Sequence, residues 1–416
     1  MNEYIKDICL RSKNASFELQ AASEKLKNQA LLNAAEYIEK DAELILEANE
    51  EDISRAVENG IRPAMVDRLK LSKERIKGIC NGIREVAELP DPVGEILGGG
   101  FRPNGIEIVK KRVPIGVIGI VFESRPNVTA DCAALTIKSG NCAILRGGKE
   151  AVRSNIAIAN SFRRALLDAG LPEDSVILIE NTDRALVNEL LSMKDYIDVI
   201  IPRGGHGLIT TVVENSKIPV IRTGEGNCHT YIDECYDKNI AIKVAVNAKT
   251  QRPSVCNAME TLLVSEKAAP EFIPEIVKVL REKNVEIRGC EKTKAICEDV
   301  ISATDLDYAT EFDDLILAVK VVRDVDEAIE HINKYGTGHS EAIITKDIDN
   351  AAKFQRRVDC ACVYVNCSTR FTDGNEFGFG AEIGISNQKI HARGPMGLKE
   401  LTSVKYFITG NGQIRE

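Results

Sequence analysis

The sequence predicts an α/β protein with two doubly wound domains. Three observations carry this. Short, almost wholly apolar runs bounded by Gly, Pro or Asn alternate with amphipathic helical segments. Runs as apolar as VIGIVF suit strands of a parallel sheet covered by helices on both faces. The alternation restarts near residue 235, and 416 residues are too many for one ordinary core.

The chain opens with helices. From Phe17 to about Val57, Leu26, Ala30, Ala34, Ile38, Leu44 and Leu46 keep a helical apolar spacing among charged neighbours. LSKERIKGICNGIREVAEL sets Ile76, Ile79, Ile83 and Val86 on one side of a further helix, and PDPVGEILGGG ends it with Pro90, Pro92 and a run of three glycines. Strands are predicted at VPIGVIGIVFE, NCAILRGG, SVILIE, DVIIPRGG and IPVIRTGEG, with helices such as KEAVRSNIAIANSFRRALLDAG between them. The second series runs METLLVSE, helix APEFIPEIVKVLREKN, DLILAVKVV, helix VDEAIEHINKYG, EAIITKD and CVYVNC. A glycine-rich stretch from FGFGAEIGI leads to TSVKYFITG, a β-rich tail too short to be a domain.

A net charge of -9 argues against a general role on nucleic acid or a membrane surface, and no run approaches the ~18 apolar residues that span a bilayer. The first residues, MNEYIKDICL, lack the basic and apolar regions of a signal peptide, so a cytoplasmic location is expected. There the 12 cysteines are expected to be reduced thiols. The close pair Cys360 and Cys362 has no matching zinc pair, and the five histidines never fall at ligand spacing, which argues against a metal site.

Several motifs leave alternatives open. Gly147, Gly148 and Lys149 stand between a strand and a helix as a P-loop would. Glu150, however, replaces the magnesium-binding Ser or Thr, and Ala143 the first glycine, which argues against a P-loop ATPase. PRGGHGLI, with Gly204 and Gly205, fits either a phosphate at a helix N-terminus or a plain tight turn. In QRPSVCNAME, Arg252 lies four residues before Cys256, and a nearby cation favours the reactive thiolate. Cys132, Cys142 and Cys362 lie in apolar runs, where burial raises a thiol pKa. The residues alone leave Cys256 open as a nucleophile or an ordinary turn cysteine.

The segments PIGVIGIVFESRPNVT, SGNCAILRGGKEA, VIIPRGG, GEGNCHTYID, NAKTQRPSVCNAMETLLV, YGTGHSEAI and FGFGAEIGIS carry a resemblance over essentially the whole chain. In this order and spacing the sequence resembles the aldehyde dehydrogenase superfamily and, within it, the γ-glutamyl phosphate reductases. The resemblance implies NADPH-dependent reduction of L-glutamate 5-phosphate to L-glutamate 5-semialdehyde with release of phosphate. This is the second step of proline biosynthesis, and it runs through a thioester on Cys256. It implies an oxyanion held by the backbone N–H of Cys256 and by Asn127. Cofactor contacts are expected from Arg146, Lys149, Gly204, Gly205 and Glu311, with Arg146 and Lys149 where NAD-using relatives carry a lysine and a glutamate. Substrate charges would be met by Arg125, Arg252, Arg370, Arg393 and Glu123, with Glu376 a further candidate.

Thr223 stands where hydrolytic members carry a water-activating glutamate. The implied division is an NADPH-binding domain at 1–97, 114–230 and 367–384, a catalytic domain at 231–366, and a β oligomerisation element at 98–113 and 385–416. A homo-oligomer is expected, with glutamate 5-kinase a candidate partner. The rival readings are a CoA-dependent acylating aldehyde dehydrogenase and a cysteine hydrolase pairing Cys256 with His229 or His391.

Overall fold

Helices Glu3–Ala21, Glu24–Lys40 and Ala42–Glu58 open the chain. Ser23 caps the second, its Oγ accepting the Leu26 N–H, which satisfies a donor that the first helical turn leaves open. Leu26 and Leu44, expected in the core, are 40% and 58% exposed. Lys27 and Ile45 are buried beside them, the Lys27 ammonium reaching Asp91 at 2.5 Å, while Ala30, Ala34 and Ile38 are buried as their spacing predicts. In helix Lys73–Glu88, Ile76, Ile79, Ile83 and Val86 are buried as their spacing predicts.

The computed structural model describes residues 2–415. They form two units: one runs to Arg222 and adds Gly378–Gly384 and the chain from Met396 on, and the other comprises Thr223–Phe377 and Ile385–Pro395. In the first unit, β1 (Ile96–Phe101) and β2 (Glu107–Pro114) make an antiparallel ribbon. β3 (Val117–Phe122), β4 (Cys142–Arg146), β5 (Val176–Leu178) and β6 (Val199–Arg203) form a parallel sheet in the order β5-β4-β3-β6. The predicted strand IPVIRTGEG shrinks to a single bridge of Val220 to Ile200. Pro219 has no N–H to continue a ladder, and only its carbonyl pairs, with the Ile200 N–H.

The second unit holds seven parallel strands: β7 (Cys228–Ile232), β8 (Met259–Ser265), β9 (Glu286–Gly289), β10 (Ile301–Ser302), β11 (Ile316–Val322), β12 (Ser340–Ile344) and β13 (Cys362–Val365). Their order is β10-β9-β11-β8-β7-β12-β13. Alternate residues of β8 serve opposite cores. Leu262 and Val264 pack with Ala241, Ala245, Phe272 and Ile276 of helices Lys238–Thr250 and Ala269–Arg281. Leu263 packs with Ile329, Ile332 and Phe354 of helices Val325–Tyr335 and Ile348–Arg357. A sheet covered on both faces explains why its strands read as unbroken apolar runs.

β14 (Ile385–Ser386) pairs with β15 (Gly394–Pro395) inside the second unit. β16 (Thr402–Thr409) pairs antiparallel with β2, from Thr402 opposite Pro114 to Thr409 opposite Glu107. The ribbon β1-β2-β16 therefore draws on residues 402–409 but not on 385–395, which the sequence grouped with it. The sequence also drew a domain boundary at residue 230, which falls inside β7. The units instead divide at Arg222 and Thr223, and 367–377 join the second unit, where Asn257 bonds to that segment.

Candidate active site

Cys256 lies on the turn between helix Lys238–Thr250 and β8. A buried ion pair, Lys249 Nζ to Glu260 Oε2 at 2.6 Å, closes the base of that turn. The Ala258 N–H donates to the Val255 carbonyl at 2.9 Å within it. Asn257 clips the turn to its neighbour: its Nδ2 donates to the carbonyls of Thr372 (2.8 Å) and Arg370 (3.4 Å). In return Thr369 Oγ1 donates to the Asn257 carbonyl at 2.7 Å. Cys256 is left half-buried at the tip.

Behind the nucleophile candidate runs the loop before β7. A Cβ at Gly226 would overlap the Cys256 carbonyl, so only glycine allows this approach. Cys228 Sγ donates to the same carbonyl at 3.1 Å. The Gly226 N–H donates to Glu311 Oε1 at 2.8 Å. Burial pushes the Glu311 carboxyl up to about 7, opposed by the Gly226 bond and helped by Asp313 and Glu225. Glu311, expected as a cofactor contact, thus braces the loop on which Cys256 rests.

Of the four arginines expected at the substrate, the structure brings Arg370 and Arg252 to the nucleophile turn. Gln251 Oε1 accepts from Arg370 Nε at 2.8 Å. Burial holds the Arg370 guanidinium pKa down; the Cys256 thiolate raises it and the like charge of Arg252 lowers it again. This cationic setting stabilises a thiolate. By contrast, burial pushes the Cys132 and Cys142 thiols up to about 12 and that of Cys228 well above its ordinary value.

Arg393 is engaged elsewhere, donating to Asp359 at 2.7 Å beside Lys389. Glu376 is exposed, on a turn around Asp373. His229 is fully buried on β7, its Nδ1 3.0 Å from Glu341 Oε2 and its Nε2 without a hydrogen-bond partner. That arrangement removes it as a base for Cys256.

The remaining expected residues lie in the first unit, at the carboxyl ends of its strands, where open parallel sheets bind nucleotides. Gly147 and Gly148 follow β4, and Lys149 is exposed in the single turn Lys149–Ala151. Arg146 is buried and donates to the carbonyls of Gly147 and Thr182, both at 2.8 Å. Its Nε lacks a partner, as does the buried Nδ2 of Asn155, which occupies the space a Gly147 side chain would need.

Glu123, expected on the substrate ammonium, instead accepts the Gly205 N–H at 2.9 Å, and a Cβ on Gly204 would come 2.6 Å from its carboxyl carbon. Arg125 is exposed ahead of helix Pro126–Lys138, and Asn127, in that helix, donates to Asp131 at 3.0 Å. Two glycine turns, an exposed cation at Lys149 and two unpartnered buried donors fit a nicotinamide dinucleotide at Gly147–Lys149. The Gly205 N–H is already taken by Glu123. Sequence reasoning missed Gln251, Gly226, Asn257 and Asn155: each acts through long-range hydrogen bonds or a close approach that leaves no periodicity.

Among the described residues no group of three or more His, Cys, Asp or Glu could hold a metal ion, and no helix is long and apolar enough to cross a membrane.

A turn-borne cysteine on one α/β unit and glycine turns at the strand ends of another accord with the comparisons. The aldehyde dehydrogenase family model matches residues 2–295 and 315–407, and the chain belongs to that family of oxidoreductases, which use a nicotinamide cofactor. The γ-glutamyl phosphate reductase of Carboxydothermus hydrogenoformans is 57% identical over 411 residues, covering 99% of both chains. That of Clostridium perfringens is 58% identical over 405 residues, 97% of this chain and 98% of that one. The crystal structure of the Thermotoga maritima γ-glutamyl phosphate reductase superposes with a TM-score of 0.97 at 51% identity, covering 99% of this chain and 100% of that one. Within the family, the chain is a member of the γ-glutamyl phosphate reductases. An acetylating aldehyde dehydrogenase from Geobacillus thermoglucosidasius, 17% identical with a TM-score of 0.71 over 100% of this chain and 98% of that one, shares the fold.

Proposed function

We propose that this protein reduces L-glutamate 5-phosphate to L-glutamate 5-semialdehyde with release of phosphate, the second step of proline biosynthesis. The reaction passes through a thioester on Cys256. One observation carries the reading: the cysteine of QRPSVCNAME sits half-buried on a pinned turn, within electrostatic reach of the Arg370 guanidinium.

The Cys256 thiolate attacks the acyl carbon. A carbon–sulfur bond forms, the carbon–oxygen bond to phosphate breaks, and its electron pair leaves on the phosphate. Phosphate is a good leaving group, so no general acid is required there. The transient oxyanion is met by the backbone N–H of Cys256. Asn127 is the proposed second donor, its Nδ2 bonded to Asp131 in this structure; one such donor is worth ~2.7–4 kcal/mol. Buried Thr223 cannot act as a carboxylate base toward water, so the thioester is protected from hydrolysis. NADPH would supply a hydride to the thioester carbon; the carbon–sulfur bond would then break with its electron pair leaving on sulfur, which releases the aldehyde and restores the Cys256 thiolate. Lys149, exposed after the Gly147–Gly148 turn, is proposed to meet its 2′-phosphate, and buried Arg146 to fix that turn.

A cytoplasmic homo-oligomer is part of this reading. The ribbon β1-β2-β16 supports it by exposing Phe101 (75%), Tyr406 (58%) and Ile408 (64%), more apolar surface than a solvated edge strand ordinarily shows. The acyl phosphate must come from a kinase acting on glutamate. The test is NADPH oxidation by the purified protein, coupled to a glutamate 5-kinase, with acyl-CoA as the competing substrate. Turnover with the acyl phosphate is expected. Turnover with acyl-CoA alone would overturn the reading in favour of an acylating aldehyde dehydrogenase.

A further inference from the structure

We infer that Arg370, backed by Arg252, is the receptor for the phosphate group of the acyl phosphate, and so the residue pair that makes the enzyme phosphate-specific; this rests on the function proposed above.

The arginines of this chain are commonly matched to carboxylates: Arg112 to Glu95, Arg163 to Asp174, Arg288 to Asp307, Arg393 to Asp359. Arg370 and Arg252 are not. Among the described residues, the Arg370 guanidinium makes one hydrogen bond, from Nε to Gln251, and its two terminal nitrogens make none. Among the described residues Arg252 makes neither a hydrogen bond nor an ion pair. Asp373 pulls weakly on Arg370 but forms no ion pair with it. Two guanidiniums close enough to repel, one of them half-buried, are an unfavourable arrangement until an anion joins them.

The Arg370 guanidinium is also oriented. Gln251 orients the fork at Nε and leaves its outer edge for the bidentate contacts that suit a phosphate. Arg370 itself stands on the segment that Thr369 and Asn257 tie to the nucleophile turn.

Substrate chemistry decides which anion this pair meets. The phosphate is bonded to the carbon that Cys256 attacks, whereas the α-carboxylate lies at the far end of the glutamyl chain. A receptor whose charge acts on Cys256 therefore faces the phosphate. The same cations then hold the thiolate before attack and accept the phosphate dianion as the carbon–oxygen bond breaks.

The test runs the reaction in reverse, with semialdehyde, NADP+ and inorganic phosphate. Arg370→Gln should raise the KM for inorganic phosphate about ten- to a hundred-fold, with the KM for semialdehyde changed less than two-fold. Arg370→Lys should recover part of the loss, and Arg252→Gln should give a smaller shift in the same direction. An unchanged KM for phosphate, or a rise confined to the semialdehyde, would overturn the inference; the latter would make Arg370 a carboxylate reader. A second readout does not need turnover. Inorganic phosphate should slow alkylation of Cys256 by iodoacetamide in the parent but not in Arg370→Gln, and the pH midpoint of alkylation should rise in that variant. A parent that turns over no acyl phosphate but shows this protection would refute the function and leave the anion site standing. Absence of protection in the parent would refute the site.

Discussion

Gly226 and Cys256 are in backbone contact: a single methyl group on residue 226 would occupy the place of the Cys256 carbonyl. The strand-entry loop and the nucleophile turn therefore cannot move independently. Gly226→Ala should displace Cys256 by an ångström or more, and misplacement on that scale costs on the order of a hundred-fold in rate. The expected result is a kcat lowered by about that factor with a circular dichroism spectrum like the parent's. Full activity in this variant would show that the loop gives way without disturbing the sulfur.

Glu311 braces the same loop, and its pKa shift makes a sign-definite statement about stability. Its carboxyl has an ordinary value of 4.5 and is pushed up to about 7 in the folded protein, chiefly by burial. Between those values the folded state binds more protons at this site than the unfolded chain does. Its contribution to stability therefore falls as pH rises from about 4.5 to about 7 and is flat above that. Glu311→Gln keeps an acceptor for the Gly226 N–H and removes the titration. Melting curves at pH 5 and pH 8 should show the variant gaining on the parent at pH 8. An identical difference at both values would mean that the carboxyl is not raised.

Cys256→Ser should abolish reduction with the fold intact, since a serine hydroxyl without a base is a poor nucleophile. Cys360→Ser and Cys362→Ser should retain activity; Cys360 only donates within its own turn, to the Cys362 carbonyl at 3.1 Å. NADPH oxidation by the three purified variants checks this, and substantial turnover in the Cys256 variant would remove the thioester from the mechanism.

The contrast between what the sequence disclosed and what it hid follows from range. Strands such as Val117–Phe122, buried over every residue, announce themselves because both faces of a parallel sheet must be apolar. β7, interior in its sheet, escaped the apolar-run criterion because CHTYI carries Thr230 and His229, and His229 is satisfied by Glu341 of β12, more than a hundred residues away. Cys256 was legible as a candidate from Arg252 nearby in sequence. Arg370 could not be ranked, since it is brought to Cys256 by Asn257 and Gln251 across 113 and 119 residues. Glu123 looked free for substrate because nothing local reveals that the Gly205 N–H, 82 residues on, already occupies it.

Lys149 offers the sharpest test of cofactor choice. It stands exposed after Gly147 and Gly148, and the resemblance matches it to the position of a glutamate that meets the adenosine ribose hydroxyls in NAD-using relatives. A carboxylate there repels a 2′-phosphate and a cation attracts it. Arg146, the other candidate, is buried with its terminal nitrogens bonded to the carbonyls of Gly147 and Thr182, so it fixes the turn and leaves the charge reading to Lys149. A positive charge entering a helix is itself mildly unfavourable, which is a further reason to expect it to serve an anion. Lys149→Glu should raise the KM for NADPH by about one to two powers of ten while that for NADH changes little. Equal effects on both cofactors, measured as separate KM values, would show that this lysine does not read the 2′-phosphate.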